Sequence, residues 1–179
     1  MGFPNVGKST LISRLSAARP RIADYPFTTL EPCLGVVPVD EEHSFVMADI
    51  PGLIAGAHLG RGLGTRFLRH VERTRLLLHL IDTAEQSGRS PVDDYRVIME
   101  ELESFSPVVA SNPMLLVASR IDAAGCGERL TELREFCRAQ GLPLLEISSV
   151  TGAGLEELKQ RTWAMLEQIP RKSGDREIG

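Results

Sequence analysis

Cysteine is scarce in this chain of 179 residues, and what there is does not form a framework. Cys33, Cys126 and Cys137 are an odd set without paired metal-ligand spacing, so buried or inert thiols are expected rather than a zinc site. No apolar run reaches membrane length and no secretory leader is evident, which predicts a reducing, cytoplasmic setting with no membrane partner. Positive charge is not in excess either. With a formal net charge of -4 there is no overall pull toward nucleic acid, and any such contact needs a local basic patch. Repeats and disorder-prone composition are also missing, so one globular domain with a full core is expected, taken as a monomer.

What is present starts at the amino terminus. Gly2-Phe3-Pro4-Asn5-Val6-Gly7-Lys8-Ser9-Thr10 has glycine, four residues, glycine, lysine and serine, the P-loop pattern. Its glycines let the backbone curl around a polyphosphate, so that successive N–H groups and the next helix terminus face negative charge. Lys8 adds a cation. Ser9 offers a hydroxyl to a magnesium ion bridging the terminal phosphates.

Apolar Leu11, Ile12 and Leu15 recur at helical spacing and predict a helix over 8–18, ended by Pro20. Residues 21–30 read as an exposed loop. Strands are expected over 31–40 and 43–49, the second the antiparallel partner of the first. A glycine-rich segment over 56–64 feeds a helix over 65–74. The nearly all-apolar run 76–82 reads as a strand buried on both faces, with His79 a satisfied core residue rather than a ligand. Helices over 92–105, 128–140 and 155–169 alternate with strands over 113–119 and 142–148, and residues 171–179 form a polar tail. That rhythm implies an α/β fold, a mainly parallel sheet with helices on both faces, whose ligands gather at the carboxyl ends of the strands.

A P-loop leaves a buried strand, yet only Met1 precedes Gly2. The expectation is therefore a domain over 1–170 that is truncated at its amino end and lacks its first, central strand. Its two neighbouring strands would then lose partners at about 1 to 3 kcal/mol per unpaired buried group.

Four further loops add chemistry. Thr28 and Thr29, between Phe27 and Leu30, lie where a switch threonine closes over magnesium and the terminal phosphate. Asp49-Ile50-Pro51-Gly52 puts a carboxylate where it can hold the magnesium through water, while the Gly52 N–H senses that phosphate. Ser119-Arg120-Ile121-Asp122 ends a strand, and Asp122 can accept both ring-edge N–H groups of a guanine. Ser148-Ser149-Val150 ends the last strand and can bring a backbone N–H to the base carbonyl. Each alone is compatible with an ordinary loop; their order along the chain is what speaks for a nucleotide site.

In Gly-Phe-Pro-Asn-Val-Gly-Lys-Ser at 2–9, Ala-Asp-Tyr-Pro-Phe-Thr-Thr-Leu at 23–30, Ala-Asp-Ile-Pro-Gly-Leu-Ile at 48–54 and Gly-Leu-Gly-x-x-Phe-Leu-Arg-His at 62–70, the chain resembles the GTPase domain of the Obg family, of the translation-factor class of P-loop GTPases. The resemblance spans residues 2–170. It implies GTP and GDP binding, slow hydrolysis with Lys8, Thr29 and Gly52 at the reacting phosphate, and magnesium held by Ser9 and Thr29 with Asp49 acting through water. It also implies a role in assembly of the large ribosomal subunit, with that subunit or its RNA as partner, and a glycine-rich domain upstream.

Two features depart from the pattern. The family's Asn-Lys-x-Asp becomes Ser119-Arg120-Ile121-Asp122, and serine is expected to be too short for the usual asparagine contacts. Leu53 stands where many GTPases carry a water-orienting glutamine, and His58 is a candidate substitute or a bystander. A potassium ion on the Asn5 amide carbonyl and the Phe27 and Thr28 carbonyls is the candidate for the charge still needed; alternatively Asn5 only stabilises its loop. Arg66, Arg69 and Arg73, with Arg61 and Arg75 close by, form one basic face that suits RNA phosphates or simply solvent. A hydrolysis-deficient GTPase-like scaffold is the competing class, and a P-loop ATPase the third, against which Asp122 argues.

Overall fold

The computed structural model describes residues 1–17, 21–22, 33–49, 72 and 74–170. Along them run helix α1 (Lys8–Leu15), strands β1 (Arg21–Ile22), β2 (Cys33–Pro38), β3 (Ser44–Ala48) and β4 (Leu77–Asp82), and helices α2 (Pro91–Phe105) and α3 (Pro107–Ala110). Strand β5 (Met114–Ser119), helix α4 (Glu128–Gln140), strand β6 (Leu144–Glu146) and helix α5 (Leu155–Gln168) complete the order. The expected helix over 65–74, apart from Glu72 and Thr74, and the tail from residue 171 onward lie outside the described residues.

Local chemistry sets most of these boundaries. Ser90 caps α2, its hydroxyl accepting from the Val92 and Asp93 N–H groups, and Pro91 occupies the first turn where no N–H is needed. Gly141 closes α4 in the left-handed region, as read from the sequence. Helix α1 stops at Leu15, short of the expected residue 18. The Ser16 hydroxyl and the Ala17 N–H both turn to the Val36 carbonyl, at 3.2 and 3.0 Å, so contact with β2 and not Pro20 draws the chain out of the helix. Arg21 and Ile22, expected in a loop, pair antiparallel with Leu34 and Cys33. The last strand is shorter than 142–148, because the Leu142 N–H returns to the Cys137 carbonyl and Ser148 is drawn into a turn with Gly152 and Ala153.

The architecture is α/β, but the strands form two sheets rather than one. Strands β4, β5 and β6 are parallel in that order, Leu77 opposite Met114 and Leu116 opposite Leu144. Strands β1, β2 and β3 form an antiparallel sheet, with Val36 opposite Val46. Along the outer edge of β4 lies Met1, whose carbonyl accepts the Leu80 N–H at 2.9 Å and whose terminal ammonium donates to the Leu78 carbonyl at 2.8 Å. Among the described residues β3 and β4 are not paired with each other.

Apolar packing joins what hydrogen bonds leave apart. Leu80, Leu115 and Val117 pack with Val6, Leu11 and Leu15, with Leu155 and Leu158 of α5, and with Val37 of β2. On the opposite face Leu77 meets Ile98 and Leu102 of α2, while Ile81, Leu116 and Ala118 meet Leu130, Leu133 and Cys137 of α4. Each fully buried valine, leucine or isoleucine among them stabilises the fold by about 1.5 to 3 kcal/mol. His79 is buried with them as expected, but neither ring nitrogen has a hydrogen-bond partner among the described residues. Its ring stacks on Tyr95 at 5.5 Å, and burial pushes its pKa down to about 3, so it is held neutral. All three cysteines are free; Cys137 is buried and Cys33 half-buried, whereas Cys126 is exposed. No helix among the described residues is long and apolar enough to cross a membrane.

Candidate functional site

Residues 2–10 curl from the end of the Met1 pairing into α1. A Cβ on Gly2 would collide with the Leu80 carbonyl oxygen, so only glycine lets the loop lie this close to β4. Asn5 has φ 65° and Gly7 φ 99°, left-handed positions that reverse the chain into the helix. The backbone N–H groups from Gly7 to Thr10 have no acceptor among the described residues. Together with the helix terminus they form a concavity of donors suited to an anion. Val6 is buried and anchors the loop in the core, whereas Pro4, Asn5, Ser9 and Thr10 are exposed.

Lys8 gives two of its three N–H donors to the carbonyls of Gly2 and Phe3, each at 2.9 Å, leaving the third. Burial lowers its pKa, and the Asp49 carboxylate opposes that shift. Asp49 stands just past β3, its N–H on the Cys33 carbonyl at 2.9 Å and its Oδ1 buried without a hydrogen-bond partner among the described residues.

On the other side Ser119 ends β5. Sequence reasoning expected serine to be too short for the usual asparagine contacts with the base; within the chain its hydroxyl reaches the P-loop. The buried Oγ lies 2.9 Å from the Val6 carbonyl and 3.1 Å from the Ile81 carbonyl, so the single hydroxyl proton bridges the loop and β4. The strand spacing, not side-chain length, decides the reach: Val6 is packed against the top of β5. Thr83 locks the same place from outside, its hydroxyl donating to the Ser119 carbonyl at 2.8 Å. Arg120, at φ 62°, turns its guanidinium to the Asp82 carboxylate at 3.0 Å, and Arg129 donates to the Asp82 carbonyl at 2.9 Å. The Ile121 N–H meets the Ile147 carbonyl at 3.3 Å, which ties this loop to the next. Asp122 is exposed, with no hydrogen bond or ion pair among the described residues.

In the last loop the Ser148 N–H is spent on the Ala153 carbonyl at 3.0 Å and its hydroxyl accepts the Thr151 N–H at 3.1 Å. Ser148 is therefore internal, and the N–H groups of Ser149 and Val150 are the ones without an acceptor among the described residues. Phe27, Thr28, Thr29, Leu30, Ile50, Pro51, Gly52, Leu53, His58, Arg61, Arg66, Arg69 and Arg73 lie outside the described residues. Arg75 is described and points toward the Ile169 carbonyl at 3.5 Å. Among the described residues no cluster of three histidine, cysteine, aspartate or glutamate side chains could hold a metal. Sequence reasoning missed Asp82, Thr83, Arg89 and Arg129, which carry no motif; the one available signal was that Asp82 ends an apolar strand.

Thus the P-loop, Asp49 and the ends of β5 and β6 meet at the carboxyl edge of the parallel sheet. A family model described as 50S ribosome-binding GTPase matches residues 1–120. The chain belongs to this family. It is 58% identical over 169 residues to the GTPase Obg of Solibacter usitatus, covering 94% of this chain and 49% of that protein. The resemblance to Obg proteins read from the motifs is thereby borne out, and the chain spans about half the length of this curated relative. Among solved structures it is similar to the G domain of the T. maritima FeoB iron transporter, at 26% identity and a TM-score of 0.65, covering 92% of this chain and 94% of that one. It is also similar to Aquifex aeolicus Era bound to GDP and AlF4−, at 26% identity and a TM-score of 0.62, over 96% of this chain and 56% of that one.

Proposed function

We propose that residues 1–170 form a GTP-binding domain that hydrolyses GTP slowly and acts as a nucleotide-controlled, monomeric cytoplasmic switch in assembly of the large ribosomal subunit. The observation that carries this reading is the Ser119 bridge to Val6, because it sets the loop bearing the unengaged Asp122 carboxylate in register with the phosphate-binding loop. A carboxylate there accepts the two edge N–H groups that guanine has and adenine lacks. The family's printed description, the Obg names and the guanine nucleotide on Era support the same assignment. The ribosomal role rests on that description.

Magnesium fits the donors present. The Ser9 hydroxyl is exposed, and the buried Asp49 Oδ1, without a partner among the described residues, would be satisfied by a water on the ion. Ser9 and Thr29 would hold the ion directly and Asp49 through water. Bound there, it would neutralise charge developing on the terminal phosphate oxygens. Lys8 then offers its remaining donor to the phosphates, and the N–H groups from Gly7 to Thr10 bind and orient them. Thr29 and the Gly52 N–H would close on the terminal phosphate.

Asn5 supports a second cation. It is exposed and left-handed, and its side-chain amide makes no hydrogen bond among the described residues, which leaves its carbonyl for potassium beside those of Phe27 and Thr28. Hydrolysis should then rise when sodium is replaced by potassium at constant ionic strength, and Asn5→Ser should abolish the rise with GTP affinity nearly unchanged. Equal rates in both salts would remove the ion.

The guanine assignment is tested by titration. The chain should prefer GDP over ADP, and Asp122→Asn should weaken GDP by about 1.5 to 3 kcal/mol for each charge-assisted hydrogen bond removed, while favouring xanthine, whose carbonyl meets the new amide. Equal affinity for ATP and GTP would sink the reading.

A further inference from the structure

We propose that Arg89 is a positioning residue for the phosphate-binding lysine, acting through the ring of Phe3. The inference rests on the GTP reading above. The Arg89 guanidinium lies 4.2 Å from the centre of the Phe3 ring, and its Nε donates to Asp94 Oδ1 at 2.8 Å. Asp94, on α2, is only 3% exposed, while the Arg89 side chain is 55% exposed, so the pair is rooted at its buried end and reaches outward to the ring. Removing the arginine would leave a buried carboxylate unpaired, which holds the guanidinium in place. The ring itself packs on the cluster of Leu77, Ile98 and Leu102, and Arg89 covers it.

Phe3 also carries the carbonyl that accepts Lys8 Nζ at 2.9 Å. An ammonium with two donors spent on adjacent carbonyls can aim its third in only one direction, so moving Phe3 re-aims that donor. Pro4 follows and biases Phe3 toward extended backbone, so displacement of the ring is passed to the carbonyl rather than absorbed by backbone rotation. The linkage runs from buried Asp94 through Arg89 and the Phe3 ring to the Phe3 carbonyl and Lys8. A charge pair between Asp94 of α2 and Arg89, just before that helix, thereby sets the aim of the phosphate cation.

The test is GDP release from the chain, followed with a fluorescent GDP, alongside thermal melting. Arg89→Ala should release GDP about fivefold faster, the worth of a cation–π pair at a partly exposed site. Arg89→Lys, which keeps a cation near the ring, should restore part of that difference. Phe3→Leu should also speed release, and the Arg89→Ala, Phe3→Leu double variant should be no faster than the faster single one, since both break one linkage. Discrimination between GDP and ADP should stay unchanged, because the base loop is not involved. Wild-type release by Arg89→Ala with only a lower melting temperature, or additive effects of the two substitutions, would overturn the inference. Failure of the unsubstituted chain to bind GDP would overturn the GTP reading beneath it and the inference with it.

Discussion

Strand β5 carries Leu115, Leu116, Val117 and Ala118 at 0% exposure, whereas Val36 and Val46, opposite each other on β2 and β3, are each 47% exposed. One sheet is covered on both faces; the other buries alternate residues, with Gly35 and Val37 inward and Val36 outward. A strand packed on both faces cannot slide or tilt without breaking two layers of core. Loops leaving its carboxyl end therefore share a rigid frame, and this is where Ser119, Asp122 and Ser149 lie. The antiparallel sheet touches that frame through the cluster containing Val37, Phe45 and Met47, and brings one candidate group to the site, Asp49. The two halves of the site thus differ in how firmly they are held.

Substitutions should separate the two sheets. Leu116→Ala, in a fully buried position between β4 and β6, should cost about 2 to 5 kcal/mol in denaturant unfolding. A cost below about 1 kcal/mol would mean the parallel sheet is not the rigid frame.

His79 sharpens the same contrast through pH. Its folded pKa, depressed by burial and by the nearby terminal ammonium, lies below its value in the unfolded chain, so the unfolded state takes up a proton that the native state refuses. The stability this contributes is present above about pH 6.5 and falls as pH drops toward 3, with a slope approaching about 1.4 kcal/mol per pH unit. His79→Leu should flatten the slope between pH 6.5 and 5, above the range where carboxylates protonate. His43 works the other way, its pKa raised by the Asp40 hydrogen bond, but both proteins share it and the difference between them isolates His79. Identical slopes would show that His79 titrates normally.

The smallest effect is expected on the antiparallel sheet. Val46→Thr keeps β-branching on an exposed face and should change stability by less than about 0.5 kcal/mol in the same unfolding assay. A cost comparable to that of Leu116→Ala would erase the difference between the sheets.

Much of the frame was legible in advance because it depends on neighbours in sequence. The P-loop is a contiguous pattern, the run 76–82 had the composition of a doubly buried strand, and the end of α4 followed from Gly141. Asp122 was legible as well, since a carboxylate just past a buried strand has nowhere to go but the loop. Partners distant in sequence were not. Nothing near Leu15 says that Val36 will take the Ser16 hydroxyl and end the helix there, and nothing near Ser119 says that its hydroxyl will meet the Val6 carbonyl.

Residue order alone therefore named the candidate donors: Lys8 for phosphate, Asp122 for a base edge, Ser9 and Asp49 for an ion, in the proposed reading. Their working arrangement was decided by packing. Ser119 meets Val6 across 113 residues of chain, and Arg89 covers Phe3 from another segment distant in sequence, because β4, β5 and α1 are pressed together by a shared apolar core. Hydrogen-bond reach is set to a few tenths of an ångström by that packing, and such distances are properties of the assembled layers that no local pattern encodes.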